Sequence, residues 1–231
     1  MKEYKFDLAR DSLRFLIKQF KIKELYLPYY LCDVIRHAVM AENCNPVFYH
    51  VDDNFYPVQE FPKESYILYP NYFGICDENV NNLEKVYSKL IVDNAHAYYA
   101  PPQGFACFNS ERKFLPVEKG SSLWVKVGEN EFLKMKKEGR SDIQYPICPS
   151  TRIERFKRMH RKFYDMNQLK FDIDSIRSPF CYPYLAPTNE NADEIAKKHT
   201  DEGLSIYRYW NNMPKSYNEY KFYRRLVPIP I

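Results

Sequence analysis

Lys89-Leu90-Ile91-Val92-Asp93-Asn94-Ala95-His96-Ala97, residues 89–97, is the stretch from which the fold is read. Four residues of strand character run into a carboxylate, and an imidazole follows three positions later. An isolated Asp-x-x-His also suits a helix N-cap beside a packed histidine, so its meaning depends on what surrounds it.

Working outward, helical and strand patterns alternate. Leu13, Leu16, Ile17 and Phe20 recur at helical spacing, and Glu24 to Leu27 then forms a short strand closed by Pro28. Leu31 to Met40 reads as a helix with Leu31, Ile35 and Ala38 on one face, and Pro46 to Val51 as a strand. Ser65 to Tyr69 is a third strand ending at Pro70, Asn81 to Ser88 a short helix, and Lys89 to Val92 a fourth strand. Strands separated by helices predict an α/β fold: a mostly parallel sheet with helices on both faces. Ligands of such sheets gather beyond the carboxyl ends of the strands, where Tyr29, Asn71 and Asp93 fall.

Downstream the pattern loosens. A strand is expected at Ser122 to Val127, a polar helix near Glu129 to Lys137 and a long helix at Arg152 to Gln168, with Phe156, Met159, Phe163 and Met166 on one side. After a Pro-rich piece come a strand at Tyr182 to Leu185, a helix at Glu190 to Glu202 stopped by Gly203, and a strand at Leu204 to Tyr207. The expected division is an α/β domain over residues 1–150, then the long helix and a small C-terminal α+β lobe over 151–231.

Composition narrows the function classes. With 231 residues, 45% of them hydrophobic, the chain can bury one substantial core. Charges at Lys2, Glu3, Lys5, Asp7, Arg10 and Asp11 interrupt any signal-peptide pattern, and no apolar run approaches the roughly 20 residues that cross a bilayer. The expectation is a cytoplasmic protein without a membrane partner. Thirty-four basic residues against 30 acidic ones leave a net charge of +4, and the basic run from Arg152 to Phe163 follows helical spacing, so no nucleic-acid partner is expected. Six scattered cysteines form neither a zinc spacing nor a disulfide framework; they read as mostly buried thiols, and no metal is expected.

The meaning of Asp93 and His96 sharpens with Phe108-Asn109-Ser110-Glu111-Arg112-Lys113-Phe114-Leu115-Pro116-Val117 and the following Gly120. An aspartate at a strand end, then Ser-x-x-Lys leading to Pro and Gly, resembles the DegT/StrS family of pyridoxal-phosphate sugar aminotransferases, which have the fold-type-I aminotransferase fold. Ala9-Arg10-Asp11-Ser12-Leu13, Leu27-Pro28-Tyr29-Tyr30-Leu31-Cys32 and Pro70-Asn71-Tyr72-Phe73-Gly74 are similar to further family segments in the same order. So are Tyr182-Pro183-Tyr184 and Gly203-Leu204-Ser205-Ile206 with Trp210.

The resemblance implies pyridoxal 5'-phosphate as cofactor. It implies that Lys113 attaches it covalently and shuttles a proton, with Lys119 as the fallback lysine, and that Asp93 pairs with the pyridinium nitrogen. His96 would hydrogen-bond near the ring. Arg10 and Ser110 would contact the phosphate, helped by the start of the first helix, where Asp11 serves as a cap or cofactor neighbour. Tyr30 or Cys32 would lie over the ring, Tyr30 being the better candidate, with core packing as its equal rival. Tyr98 or Tyr99, and the segments 182–184 and 207–210, are the aromatic candidates for substrate contacts. The implied reaction moves an amino group from glutamate to a nucleotide-linked keto sugar in surface polysaccharide biosynthesis, by a homodimer. The chain departs from the family by being shorter, chiefly between Gly120 and Arg152. A truncated, non-catalytic homologue acting as a binding or assembly subunit is therefore the alternative.

Overall fold

A computed structural model describes residues 1–126 and 149–231. The stretch around Asp93 lies in β5 (Leu90–Asn94), buried along its whole length in a seven-stranded sheet. Its sheet companions are β1 (Lys2–Phe6), β2 (Glu24–Pro28), β3 (Asn45–Tyr49), β4 (Ile67–Pro70), β6 (Ala106–Asn109) and β7 (Ser121–Val125). They are ordered β1-β7-β6-β5-β4-β2-β3. The pairs from β3 through β6 are parallel, whereas β7 runs antiparallel to both β6 and β1. Two reversals restore direction, so β1 ends at the same rim as β2, β4, β5 and β6. The expected mostly parallel α/β sheet is the one observed.

Alternation along the central strands divides the core into two layers. Ile91, Leu68, Ala106 and Phe108 face α1 (Ala9–Gln19) and α2 (Asp33–Ala41), packing on Leu13, Leu16, Ile17, Ile35 and Val39. Leu90, Val92, Ile67, Tyr69 and Cys107 face the opposite way. That second layer takes in Val80 and Leu83 of α3 (Asp77–Val86) and the carboxyl-terminal residues Phe156, Tyr182, Phe222 and Ile229. Each fully buried Leu or Ile contributes about 1.5–3 kcal/mol to this arrangement.

The carboxyl-terminal part contains α4 (Pro149–Phe163), β8 (Cys181–Leu185), α5 (Asn189–Asp201), α6 (Tyr220–Arg225) and β9 (Leu226–Pro230). β8 and β9 form a separate antiparallel pair. The strand expected at Leu204 to Tyr207 is absent, and β8 pairs with β9 instead. Pro228 and Pro230 hid β9 from a propensity reading, but a two-stranded ribbon has edges that tolerate residues without an N–H. β1 was hidden by its charges, since only Tyr4 of its five residues is buried. The long helix stops at Phe163 rather than continuing to Gln168, and Met166 beyond it is exposed. Cys44, Cys76, Cys107 and Cys181 are buried free thiols and Cys32 is half-buried. The helix expected at Glu129 to Lys137, the end of the strand at Val127, and Cys148 lie outside the described residues.

One loop ties the two parts together. Phe180 N–H donates to Phe73 O at 2.8 Å, and Gly74 packs so tightly that a Cβ there would meet Ser178 O at 2.0 Å and His96 O at 2.5 Å. With φ at +71°, Gly74 satisfies both the turn and the close approach.

Candidate active site

Five strand ends deliver the site. A cavity at the rim is walled by Leu31 and Cys32 after β2, Pro70 and Asn71 at β4, and Asp93, Ala95 and His96 at β5. Ser110, Arg112 and Lys113 close it after β6, Leu8, Ala9 and Arg10 after β1, and Trp210 from the carboxyl-terminal part. Counting the open solvent at its mouth it spans about 710 Å³ of empty space.

A hydrogen-bonded frame holds these loops in place. Asn109 Oδ1 accepts from Ser122 N at 2.8 Å, and Ser121 Oγ donates to Asn109 O at 2.7 Å while lying 2.8 Å from Ser12 Oγ of α1. Gly120 N donates to Asp7 O and Glu111 N to Gly120 O, which draws the start of α1 beside the loop carrying Lys113. Just after β4, Asn71 spans Asp77 and the Cys76 N–H, so it buttresses the rim.

Asp93 is 8% exposed. Its Oδ1 accepts from Ala95 N at 2.9 Å, and among the described residues Oδ2 accepts no hydrogen bond. Burial raises its pKa above the usual aspartate value, opposed by the charge of Lys113 and the Ala95 N–H. The Lys113 side chain is exposed to the cavity. Desolvation by the protein around its amine lowers its pKa, against the pull of Asp93 and Cys32 and assisted by Arg112. Neither residue forms a direct ion pair among the described residues; the amine lies 5.9 Å from the Phe180 ring centre. Lys113 is the lysine in the cavity wall, whereas Lys119 points to the surface and pairs with Asp7 at 3.0 Å.

His96 lies in an aromatic stack, parallel to Phe180 at 4.6 Å and to Trp210 at 5.6 Å between ring centres. Burial, followed by the Lys113 charge, holds its pKa well below 6.5. It is a neutral, flat wall group. The depressed value has a consequence for stability. The unfolded imidazole takes up a proton as pH falls through 6.5 while the folded one does not, so its contribution is present above pH 6.5 and declines below it. His96→Phe keeps the stacking and removes that proton. Unfolding free energies from urea titrations at pH 7, 6 and 5 are expected to fall less steeply in the variant, by up to about 1.4 kcal/mol per pH unit below the unfolded pKa.

The start of α1 opens on the same space. Its first residue follows Leu8, which provides no side-chain cap, and the N–H groups of Ala9 and Arg10 donate to no acceptor among the described residues. Unpaired donors and the helix dipole suit an anion there.

Of the sequence candidates, Lys113, Asp93, His96, Ser110 and Arg10 thus meet in one cavity. Two do not. Tyr30 is fully buried in the aromatic core, stacked on Tyr72 at 5.8 Å and edge-on to Trp210 at 4.6 Å, so the rival core role is the one it fills. Cys32, two residues on, lines the cavity instead. Asp11 sits in the first turn of α1 outside the cavity wall and does not cap the helix, its own N–H donating to Leu8 O. Tyr98 and Tyr99 pack on Phe114 and do not line the cavity, and Tyr29 packs against Phe48 and Tyr217. Arg152, read as part of a solvated helix face, is instead buried; it donates to Pro179 O at 3.2 Å and Phe180 O at 2.6 Å. Helical spacing carries the signal, since Arg152 stands four residues before Phe156 on the face that also bears Met159 and Phe163.

The chain has the fold-type-I aminotransferase fold. No family model and no curated protein matches its sequence. Solved structures do. A DegT/DnrJ/EryC1/StrS aminotransferase from Brucella abortus superposes over all of this chain and 81% of its own, with a TM-score of 0.69 at 13% identity. NtdA from Bacillus subtilis, solved with bound cofactor PMP, is covered over 68% of its length, with a TM-score of 0.73 at 11% identity and all of this chain included. DesV from S. venezuelae, in complex with a ketimine intermediate, matches 99% of this chain and 79% of its own at a TM-score of 0.69 and 13% identity.

The donor set fits pyridoxal phosphate on its own terms. Among the described residues, a carboxylate oxygen that accepts no hydrogen bond, a lysine amine with a lowered pKa, a flat neutral ring and an uncapped helix start could meet its pyridine nitrogen, aldehyde, ring plane and phosphate.

Proposed function

We propose that the chain is a pyridoxal-phosphate-dependent aminotransferase acting on a nucleotide-linked keto sugar, with glutamate as amino donor. The observation that carries this reading is the convergence of Lys113 and Asp93, from the ends of adjacent parallel strands, on one cavity that also receives the uncapped start of α1. When bound, the cofactor supplies an electron-withdrawing ring that accepts the electron pair released at the substrate carbon.

Lys113 attaches the cofactor and moves a proton to or from the substrate carbon; a lowered pKa favours the neutral amine that both tasks require. Asp93 holds a proton at the ring nitrogen, where a positive partner relieves its buried charge. Arg10, Ser110 and the free N–H groups of Ala9 and Arg10 hold the phosphate, and His96 supports the ring without exchanging protons. The division into a cofactor-holding part over 1–150 and a carboxyl-terminal lobe over 151–231 belongs to this reading, as do polysaccharide biosynthesis and the cytoplasm. No described helix is long and apolar enough to cross a membrane. A homodimer is part of it too: Val34 at the cavity wall and Met40, both on α2, expose 41% and 60% of their surface and would be covered by a second copy.

The test is a half-reaction. Protein loaded with pyridoxal phosphate and given glutamate is expected to yield pyridoxamine phosphate and 2-oxoglutarate in equal amounts, measured by chromatography. Retained cofactor with no pyridoxamine phosphate would leave the non-catalytic reading in its place.

A further inference from the structure

A basic pocket in the carboxyl-terminal part stands apart from the candidate active site and shares no lining residue with it. Its cations are Lys215, followed by Lys221, Arg224 and Arg225 of α6. The last three recur at i, i+3 and i+4, so one helical face carries them side by side while Phe222 turns into the core. The rest of the wall, Asn189, Tyr217, Asn218 and Tyr220, carries no acidic group. The carboxylates nearby are largely committed elsewhere. Asp53 pairs with Lys221, accepts from Asn218 Nδ2 at 3.3 Å and feels the charge of Arg225. Glu219 is bonded to His50 and the Val51 N–H, and Asp193 pairs with Arg208 at 2.6 Å. Exposed Glu190 feels the charge of Arg224 but forms no ion pair with it. Among the described residues, the side chains of Lys215, Arg224 and Arg225 have no ion-pair or hydrogen-bond partner, and Arg225 Nε is shut off from solvent without one.

We propose that this pocket binds a phosphate-bearing anion with the charge of a diphosphate, at a site separate from the cofactor's. Like charges three and four residues apart on a helix oppose one another, and Asp53 is bonded to only one of the four cations. An anion with several oxygens relieves that repulsion. The two guanidiniums offer planar forks that match phosphate oxygens, Lys215 adds a point charge, and the tyrosine hydroxyls and asparagine amides add neutral donors. Three cations without a carboxylate partner suit a di- or trianion better than a single carboxylate. The backbone beneath them is fixed, because Arg224 O accepts from the Arg208 guanidinium and Arg225 O from Ala186 N at 3.0 Å. None of these residues takes part in the aminotransferase reading, so the site stands or falls separately from it.

The experiment is calorimetric titration of protein incubated with pyridoxal phosphate and dialysed, with inorganic diphosphate and, separately, with UDP, which carries the same group on a nucleoside. Wild type, Arg225→Gln and Lys215→Glu are compared, and melting temperatures report whether each variant folds. Lys215 is exposed, so its variant keeps the test open should Arg225→Gln fail to fold. Diphosphate is expected to bind wild type and to weaken about tenfold or more in each variant. UDP binding that weakens in parallel assigns the phosphates to a nucleotide, whereas UDP binding indifferent to both substitutions assigns them to a ligand without one. Absence of diphosphate binding to wild type, or a change under twofold in either variant that folds, overturns the proposal. Arg10→Gln is the control for the candidate active site. Diphosphate binding that is lost in Arg10→Gln and kept in the pocket variants would belong to the first cavity and overturn the proposal equally.

Discussion

Lys113→Ala is expected to abolish covalent retention of pyridoxal phosphate and to lower glutamate-dependent turnover by roughly 10³-fold or more, the scale of a lost proton-transfer group compounded by a lost attachment point. Lys113 is the amine in the cavity wall, and Lys119 cannot substitute because it is held at the surface by Asp7 at 3.0 Å. The fold should survive. The Lys113 side chain makes no hydrogen bond or ion pair among the described residues and is exposed to the cavity, so its truncation removes little packing. Dialysis against buffer followed by absorbance in the visible band separates variant from wild type, and a melting temperature close to that of wild type accompanies the loss. A variant that keeps the chromophore would mean that another lysine holds the cofactor.

The second large effect is at Asp93. Asp93→Asn is expected to retain the Lys113-linked cofactor while turnover falls by about 10²–10⁴-fold, because a neutral amide no longer holds the proton at the ring nitrogen. Stability should move the other way. The carboxylate is buried, its pKa is raised, and one of its oxygens accepts no hydrogen bond among the described residues; the amide can keep the Ala95 contact without the charge. A variant that is inactive, cofactor-loaded and no less stable than wild type in urea would place the cost of Asp93 in function rather than folding. Unchanged turnover would remove Asp93 from the proposed chemistry.

The sheet was legible because its central strands alternate cleanly between two core layers and are separated by helices with apolar faces: Ile91 turns one way, Leu90 and Val92 the other. Asp93 was legible at the end of its strand, and His96, Ser110, Lys113 and Arg10 through the resemblance of the motifs that contain them; all five line one cavity. What was not legible depends on pairing at a distance. β1 and β9 carry charges or prolines that oppose strand formation locally and are stabilised only by β7 and β8. Tyr30 and Cys32 are two residues apart, and which of them faces the cavity is decided by an aromatic cluster that gathers Tyr30 with Phe55, Tyr72 and Phe222 from distant parts of the chain. For Arg152 helical spacing marks the buried face, but the carbonyls that fix it come from residues 179 and 180.

The central claim, that Lys113 carries the cofactor, is tested most directly by reducing protein incubated with pyridoxal phosphate with borohydride and mapping the modified lysine by mass spectrometry. A single pyridoxyl group on Lys113 is the predicted result. No adduct, or labelling spread over surface lysines with Lys113 unmodified, would contradict it.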